Sequence, residues 1–332
     1  MPLELFFDLV FVLALTQCTA LMAAEPTWEG LAKALLILGV LWWSWTGYAW
    51  LTSVVDPEEG AVRLVMFIAM AAFLVAALCV PEAFDSRALL FAGAYGVVRT
   101  AHIALFVLAS RDDPALRSSV LGLAGGTAVG VGLLAAASAF DGATQGALWS
   151  LALLLDVAEP YLFGAEGWKL VPSHFAERHG LILIIALVAE RGLAQAAVGR
   201  EQNEIARDSY SYLHFPMVAG VVLGALGLKK TLGAVEDPLK TVPAVAMLGG
   251  TALYLLAHVA FRLRNVRTLN RQRLLCALLL VAFVPAAVEL PSLATLAILA
   301  GALIALIAYE TWRFGEARAR IRHQIESEAP AG

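Results

Sequence analysis

Glu4 and Asp8 stand four residues apart in "LELFFDLVFVLALTQ", and Arg99 and His102 stand three apart in "AYGVVRTAHIALF"; both stretches are otherwise apolar. An ionisable group at bilayer depth is costly, so each must be functional or tied to a partner. Spacings of three and four place each pair on one helical face. Cys18 and Thr19 fall near the Glu4 and Asp8 face, so this stripe suits a polar path. The alternative is structural, with Asp8 neutralising a neighbour such as Arg99 to hold two helices in register. Arg99 stays charged and needs a carboxylate, for which Asp8 and Asp156 are the candidates. His102 suits a proton relay, since imidazole titrates near neutrality; a structural hydrogen bond is the other reading.

A second set flanks the short apolar run 181–189. His174, Glu177, Arg178 and His179 precede it, and Arg207, Asp208, Tyr210, Tyr212 and His214 follow in "RDSYSYLHF". On a helix starting there, Asp208 with Tyr212 and Tyr210 with His214 are i, i+4 pairs. An interfacial aromatic belt with charged neighbours accounts for the same residues. "WWSWTGYAW" likewise reads as an interface anchor and packing surface rather than a cofactor box.

Such charges matter because the rest of the chain is so apolar. Of 332 residues, 60% are hydrophobic and 15% charged, and mean hydropathy is +0.78, against about 25% charged in soluble domains. A net charge of -4 with no basic stripe excludes nucleic acid as partner. Cys18, Cys79 and Cys276 lie far apart in apolar runs, so they are expected as unpaired thiols, with neither disulfide nor metal. The opening "MPLELFFDLV" has no basic n-region and reads as the first membrane helix rather than a cleaved signal.

Apolar stretches long enough to span occur at 5–24, 31–51, 62–81, 88–109, 118–139, 146–163, 213–232, 243–262, 274–290 and 292–311. The expected fold is all-α: a polytopic transmembrane helical bundle of about ten spans plus a short half-span at 181–189. Residues 1–312 form one membrane domain, and 313–332 a basic cytoplasmic tail. Connections such as "DPEEGA" and "DGATQG" are too short for an extramembrane domain. In "GLAGGTAVG", Gly122, Gly126 and Gly130 make a doubled G-x-x-x-G, a device for close helix packing or for homo-oligomer contact; Gly220 and Gly224 repeat it.

"RLRNVRTLNRQR" and "RFGEARARIRHQ" are read as cytoplasmic. If 181–189 does not cross, Arg63, Arg111 and Arg117 fall inside, Arg87 falls outside, and both termini are cytoplasmic. Lys229, Lys230 and Lys240 fit this arrangement least well.

"LELFFDLVFVLALTQ", "WWSWTGYAWLTSVVD", "HFAERHGLILIIAL" and "ARDSYSYLHFPMVAGVVLGALGLKK", in that order, resemble the low temperature requirement protein A family of bacterial integral membrane proteins. The resemblance covers nearly the whole chain. It implies a multi-helix inner-membrane protein of a family named for a growth phenotype rather than a reaction. In typical members the third motif continues through a Gly-Glu-Ser step and a Trp-rich span, whereas here Leu187 joins Val188 directly. The comparison implies that the end of one span and most of the next are missing, about forty residues at ~20 per crossing. The half-span is then a fused remnant of two helices. Glu4 before "LVFVLAL" and Glu177 before "LILIIAL" hint at two repeats, the second truncated near 188. The opening F-x-D-x-V-F pattern is also similar to that of a family of potassium-conducting channels with paired repeats.

No G-x-S-x-G, H-E-x-x-H or phosphate-binding glycine loop is present, so no catalytic residue, metal or cofactor is assigned. Three functions remain. The first is movement or sensing of a small solute or cation through a polar centre of Glu4, Asp8, Arg99 and His102. The second is a non-transporting protein supporting cold or stress adaptation of the envelope. The third is an intramembrane enzyme on a lipid-linked substrate.

Overall fold

The computed structural model describes residues 2–53, 55, 59–111, 113–162, 171–182 and 200–328. Among them every named element is helical: α1 Pro2–Ala24, α2 Trp28–Leu51, α3 Gly60–Cys79, α4 Ala88–Ala109, α5 Pro114–Ala137, α6 Gly142–Leu162, α7 Pro172–Ile182, α8 Arg200–Ile205, α9 His214–Gly233, α10 Thr241–Val266, α11 Arg271–Ala287 and α12 Ser292–Glu328. A π-helical stretch, Ala206–Tyr212, joins α8 to α9. Among the described residues each of the ten expected apolar stretches falls on a helix. Among the described residues eight candidate spans are long and apolar enough to cross a membrane; α6, with its carboxylates, and α11, only 17 residues long, are not among them. Most of the half-span, with the Leu187–Val188 junction, lies outside the described residues.

Local chemistry sets the helix starts. Thr27 caps α2 by accepting from Gly30 N at 3.0 Å, and Asp113 caps α5 from Leu116 N at 3.1 Å ahead of Pro114. Asn270 caps α11 in the same way. Gly30 must lack a side chain, because a Cβ there would stand 2.2 Å from the Glu25 carbonyl oxygen.

Consecutive helices pack as neighbours: α3 on α4, α4 on α5, α5 on α6, α9 on α10 and α10 on α11. Helix α1 closes the bundle by packing on α2, α3 and α9. One large core runs through α1–α7 and α9, and a smaller one joins α10, α11 and α12. Leu5, Phe6, Leu9, Leu64, Leu89, Leu154, Leu279 and Ile304 point outward instead. So broad an apolar exterior suits hydrocarbon, not water. The cysteines are free: Cys18 and Cys79 are buried and Cys276 is half-buried.

The tryptophan-rich end of α2 faces inward, not to an interface. Trp42, Trp43, Trp45, Tyr48 and Trp50 are all buried. Trp42 Nε1 donates to the Ser211 carbonyl at 2.8 Å and Trp50 Nε1 to Ser211 Oγ at 3.1 Å. These indoles form a packing surface whose N–H groups are satisfied in the interior, so the packing half of the sequence reading holds and the anchoring half does not.

Candidate functional site

The expected single centre of Glu4, Asp8, Arg99 and His102 is two adjoining clusters, each built on a different buried arginine. In the first, the Asp8 carboxylate on α1 accepts from Arg178 Nη2 at 2.8 Å and from Trp45 Nε1 at 2.7 Å. Arg178 also donates to Thr52 Oγ1 at 2.8 Å and to the Tyr48 carbonyl at 3.3 Å, and its guanidinium lies over the Trp45 ring. Glu4, one turn before Asp8, is 3.7 Å from Arg178 and 2.9 Å from His174 Nε2. The spacing of four that puts both acids on one face of α1 is matched by His174 and Arg178, also four apart, on α7. Asp8 therefore pairs with Arg178, not with Arg99.

In the second cluster, Arg99 of α4 lies 3.4 Å from Asp156 and 3.4 Å from Glu159, both on α6. Its Nη2 also donates to Thr127 Oγ1 on α5 at 2.6 Å. Tyr95, one turn before Arg99, gives its phenol hydrogen to Asp156 at 2.5 Å. Arg99 is 1% exposed and the two acids 2% and 3%, so the whole network is desolvated. Of the two partners expected for Arg99, Asp156 is the one found.

Small residues make room for these side chains. Gly126 and Gly130, the G-x-x-x-G of α5, face α6, but what fills the space above them is carboxylate. A Cβ at Gly126 would sit 2.0 Å from Glu159 Oε1, and one at Gly130 would sit 3.4 Å from Asp156 Oδ1. Gly122 lies one turn earlier on the same helix. Gly47 of α2 opens a similar notch, where a Cβ would lie 2.9 Å from His102 Cε1 and 3.6 Å from Arg99 Nη1. Pro160, inside α6, has no N–H to give the Asp156 carbonyl, so one backbone hydrogen bond of the helix is missing beside its two acids.

Tyr48 joins the clusters. Its carbonyl takes Arg178, its phenol donates to the Val98 carbonyl at 2.8 Å, and its ring lies 5.2 Å from that of His102. His102 is 2% exposed, and its ring lies against Gly47.

The second set of sequence candidates divides. His174 and Arg178 belong to the first cluster. Glu177, beside them in sequence, is exposed. Arg207 and Arg264 hold Asp208 at 2.9 and 3.2 Å near the surface. Tyr210 and His214 are buried, against the expectation of an interfacial belt, and their rings stack at 5.2 Å with 9° between planes. His179, fully buried, packs edge-on against Trp45, Tyr210 and His214 and bonds the Phe175 carbonyl through Nδ1 at 2.9 Å. The π-helical turn, which replaces the regular helix expected there, brings Tyr210 and His214 inward; His214 Nδ1 meets the Ser209 carbonyl five residues back at 2.9 Å.

Sequence reasoning missed two groups. Glu159 follows Asp156 by three residues in "LLLDVAEPYL", and its nearness to a proline and the helix end masked it. Glu310 on α12 is held by both arms of Arg273 at 2.8 Å and by Asn270 at 3.0 Å, a separate ion pair outside the two clusters. Among the described residues no group of three or more His, Cys, Asp or Glu is placed to hold a metal ion.

A family model described as bacterial low temperature requirement A protein (LtrA) matches the chain in two segments, residues 1–187 and 188–308. The two matched segments meet between Leu187 and Val188. The chain is also similar to an uncharacterized protein of Rhizobium meliloti (strain 1021), with 33% identity over 195 residues, 55% of this chain and 47% of that protein. It thus spans about half the length of the curated relative it matches. No solved structure matches.

Proposed function

This chain belongs to the bacterial low temperature requirement A family, a multi-pass membrane protein, and from that premise we propose that it moves a small cation across the cytoplasmic membrane through its two buried arginine clusters. One observation carries the reading: Arg99 alone faces two buried carboxylates, Asp156 and Glu159, while Arg178 shares Glu4 and Asp8 with His174. A purely structural pair needs one acid per arginine, whereas surplus acid at bilayer depth favours a mobile positive charge. Tyr48 and His102 supply the polar step between the clusters. In this reading both termini are cytoplasmic, and the two-segment match supports a region near 188 shortened relative to the family.

A second reading has one observation behind it. Arg178 is fixed by Asp8, Thr52 and the Tyr48 carbonyl together, which suits a pin between α1, α2 and α7 in a non-transporting protein that supports cold or stress adaptation of the envelope.

Liposomes containing the purified, monodisperse protein separate the two. Transport predicts cation flux by the parent that is lost in Asp8→Asn and in Arg99→Gln. Folded protein without flux overturns it and leaves the structural reading.

A further inference from the structure

We propose that the Arg99 cluster is a proton-binding site and that Glu159 is the group that carries the proton. The inference deepens the cation reading above by naming the ion and the atom. It starts from an inequality between two acids on one helix. Asp156 accepts from the Tyr95 phenol at 2.5 Å and lies 3.4 Å from Arg99. Among the described residues Glu159 bonds only Arg99, through Oε2 at 3.4 Å, and its Oε1 is buried without a hydrogen-bond donor. An ionised carboxylate oxygen left bare in the interior costs far more than a neutral carboxyl there.

The charge count points the same way. Arg99 balances one acid. With a proton bonded to Oε1, Glu159 becomes neutral and Asp156 with Arg99 remains as a matched pair. A metal ion is a poorer occupant. Hard cations such as Ca²⁺ take about six to eight oxygens, and here three of the four carboxylate oxygens already face Arg99 or Tyr95.

The surroundings supply a route for a proton. Arg99 from α4 meets Glu159 at 3.4 Å; Tyr95 from α4, Asp156 from its own helix and Tyr212 from the π-helical turn are the other titratable groups near enough to act on its charge, and α5 contributes the Gly126 notch that receives Oε1. His102 shares the Gly47 notch with Arg99 and is 2% exposed. A neutral imidazole offers one donor and one acceptor, the pair of functions a relay needs.

The test is infrared difference spectroscopy on the full chain in lipid, stepped between mildly acidic and alkaline pH with no ion gradient. The parent is expected to show a carboxylic-acid carbonyl band that is lost in Glu159→Gln and kept in Asp156→Asn. Persistence of the band in Glu159→Gln, or its absence from the parent, overturns the proposal. Should Glu159→Gln fail to give monodisperse protein, Glu159→Asp keeps a carboxyl in altered surroundings; a shifted band supports the assignment and an unshifted one overturns it. The band answers without transport, so a Glu159 band in a chain that shows no flux upholds the proton site and removes the transport reading.

Discussion

Asp8 and Arg178, 170 residues apart in sequence, meet at 2.8 Å in the interior, with the Trp45 indole on the same carboxylate oxygen. Both side chains are nearly dry, at 11% and 4% exposure. Removing one member leaves the other charge buried without its counter-ion, which costs about 3–5 kcal/mol. Arg178→Ala is therefore expected to destabilise strongly, because Glu4 and Asp8 lose their shared cation. The double variant Asp8→Asn with Arg178→Gln is expected to cost less than the sum of the singles. Unfolding in lipid nanodiscs measures both; additive losses sink the coupling.

Gly126 and Gly125 are adjacent and give opposite expectations. A Cβ at Gly126 meets Glu159 Oε1 at 2.0 Å and Cδ at 2.8 Å, whereas one at Gly125 meets nothing within 4 Å. Gly126→Ala is expected to cost about 1–3 kcal/mol through overpacking, and Gly125→Ala to stay within about 0.5 kcal/mol. Adding Glu159→Ala to Gly126→Ala is expected to relieve the clash. Equal melting temperatures for the two alanine variants would refute a notch specific to Glu159.

Apolar length made the helices legible, since a run long enough to span is visible without knowing its neighbours. Buried charges were legible for the same reason: Asp8 and Arg99 stand out in apolar surroundings. Their partners were not, because the pairing depends on how distant helices pack. Nothing local says that α7 lies against α1, so sequence proximity groups Arg178 with Arg207 and Asp208 rather than with Asp8. Glycine spacing signalled close packing, yet spacing does not say what enters the space, and at Gly126 it is a carboxylate rather than a backbone. The inward turn of Tyr210 and His214 was hidden because it rests on an inserted π turn, which helical periodicity does not register.

The α9–α10 contact separates two kinds of glycine. At Gly220 a Cβ would lie 2.5 Å from the Gly250 carbonyl oxygen, and at Gly227 it would lie 2.2 Å from Met247 Cβ; at Gly224 the nearest atom is Thr251 Oγ1 at 3.9 Å. Backbone cannot move aside as a side-chain tip can. Gly220→Ala and Gly227→Ala are expected to lower the unfolding midpoint clearly, and Gly224→Ala to leave it unchanged, although the sequence pairs Gly220 with Gly224. Thermal scans of the three variants decide this, and a loss at Gly224 equal to the others would contradict the packing.

Arg273 and Glu310 allow stability to be separated from transport. They form a two-armed pair at 2.8 Å, helped by Asn270, and bridge α11 to α12 beside the smaller core. Both arms are needed because lysine offers a point charge in place of the planar fork. Arg273→Lys keeps the charge and loses the second bond, so a stability loss of about 1–2 kcal/mol is expected. Neither residue touches Arg99 or Arg178, so flux per folded protein is expected to match the parent, in contrast to Asp8→Asn. Loss of flux in folded Arg273→Lys would show that the charge path extends beyond the two clusters and would refute confinement of cation movement to α1, α2, α4, α6 and α7.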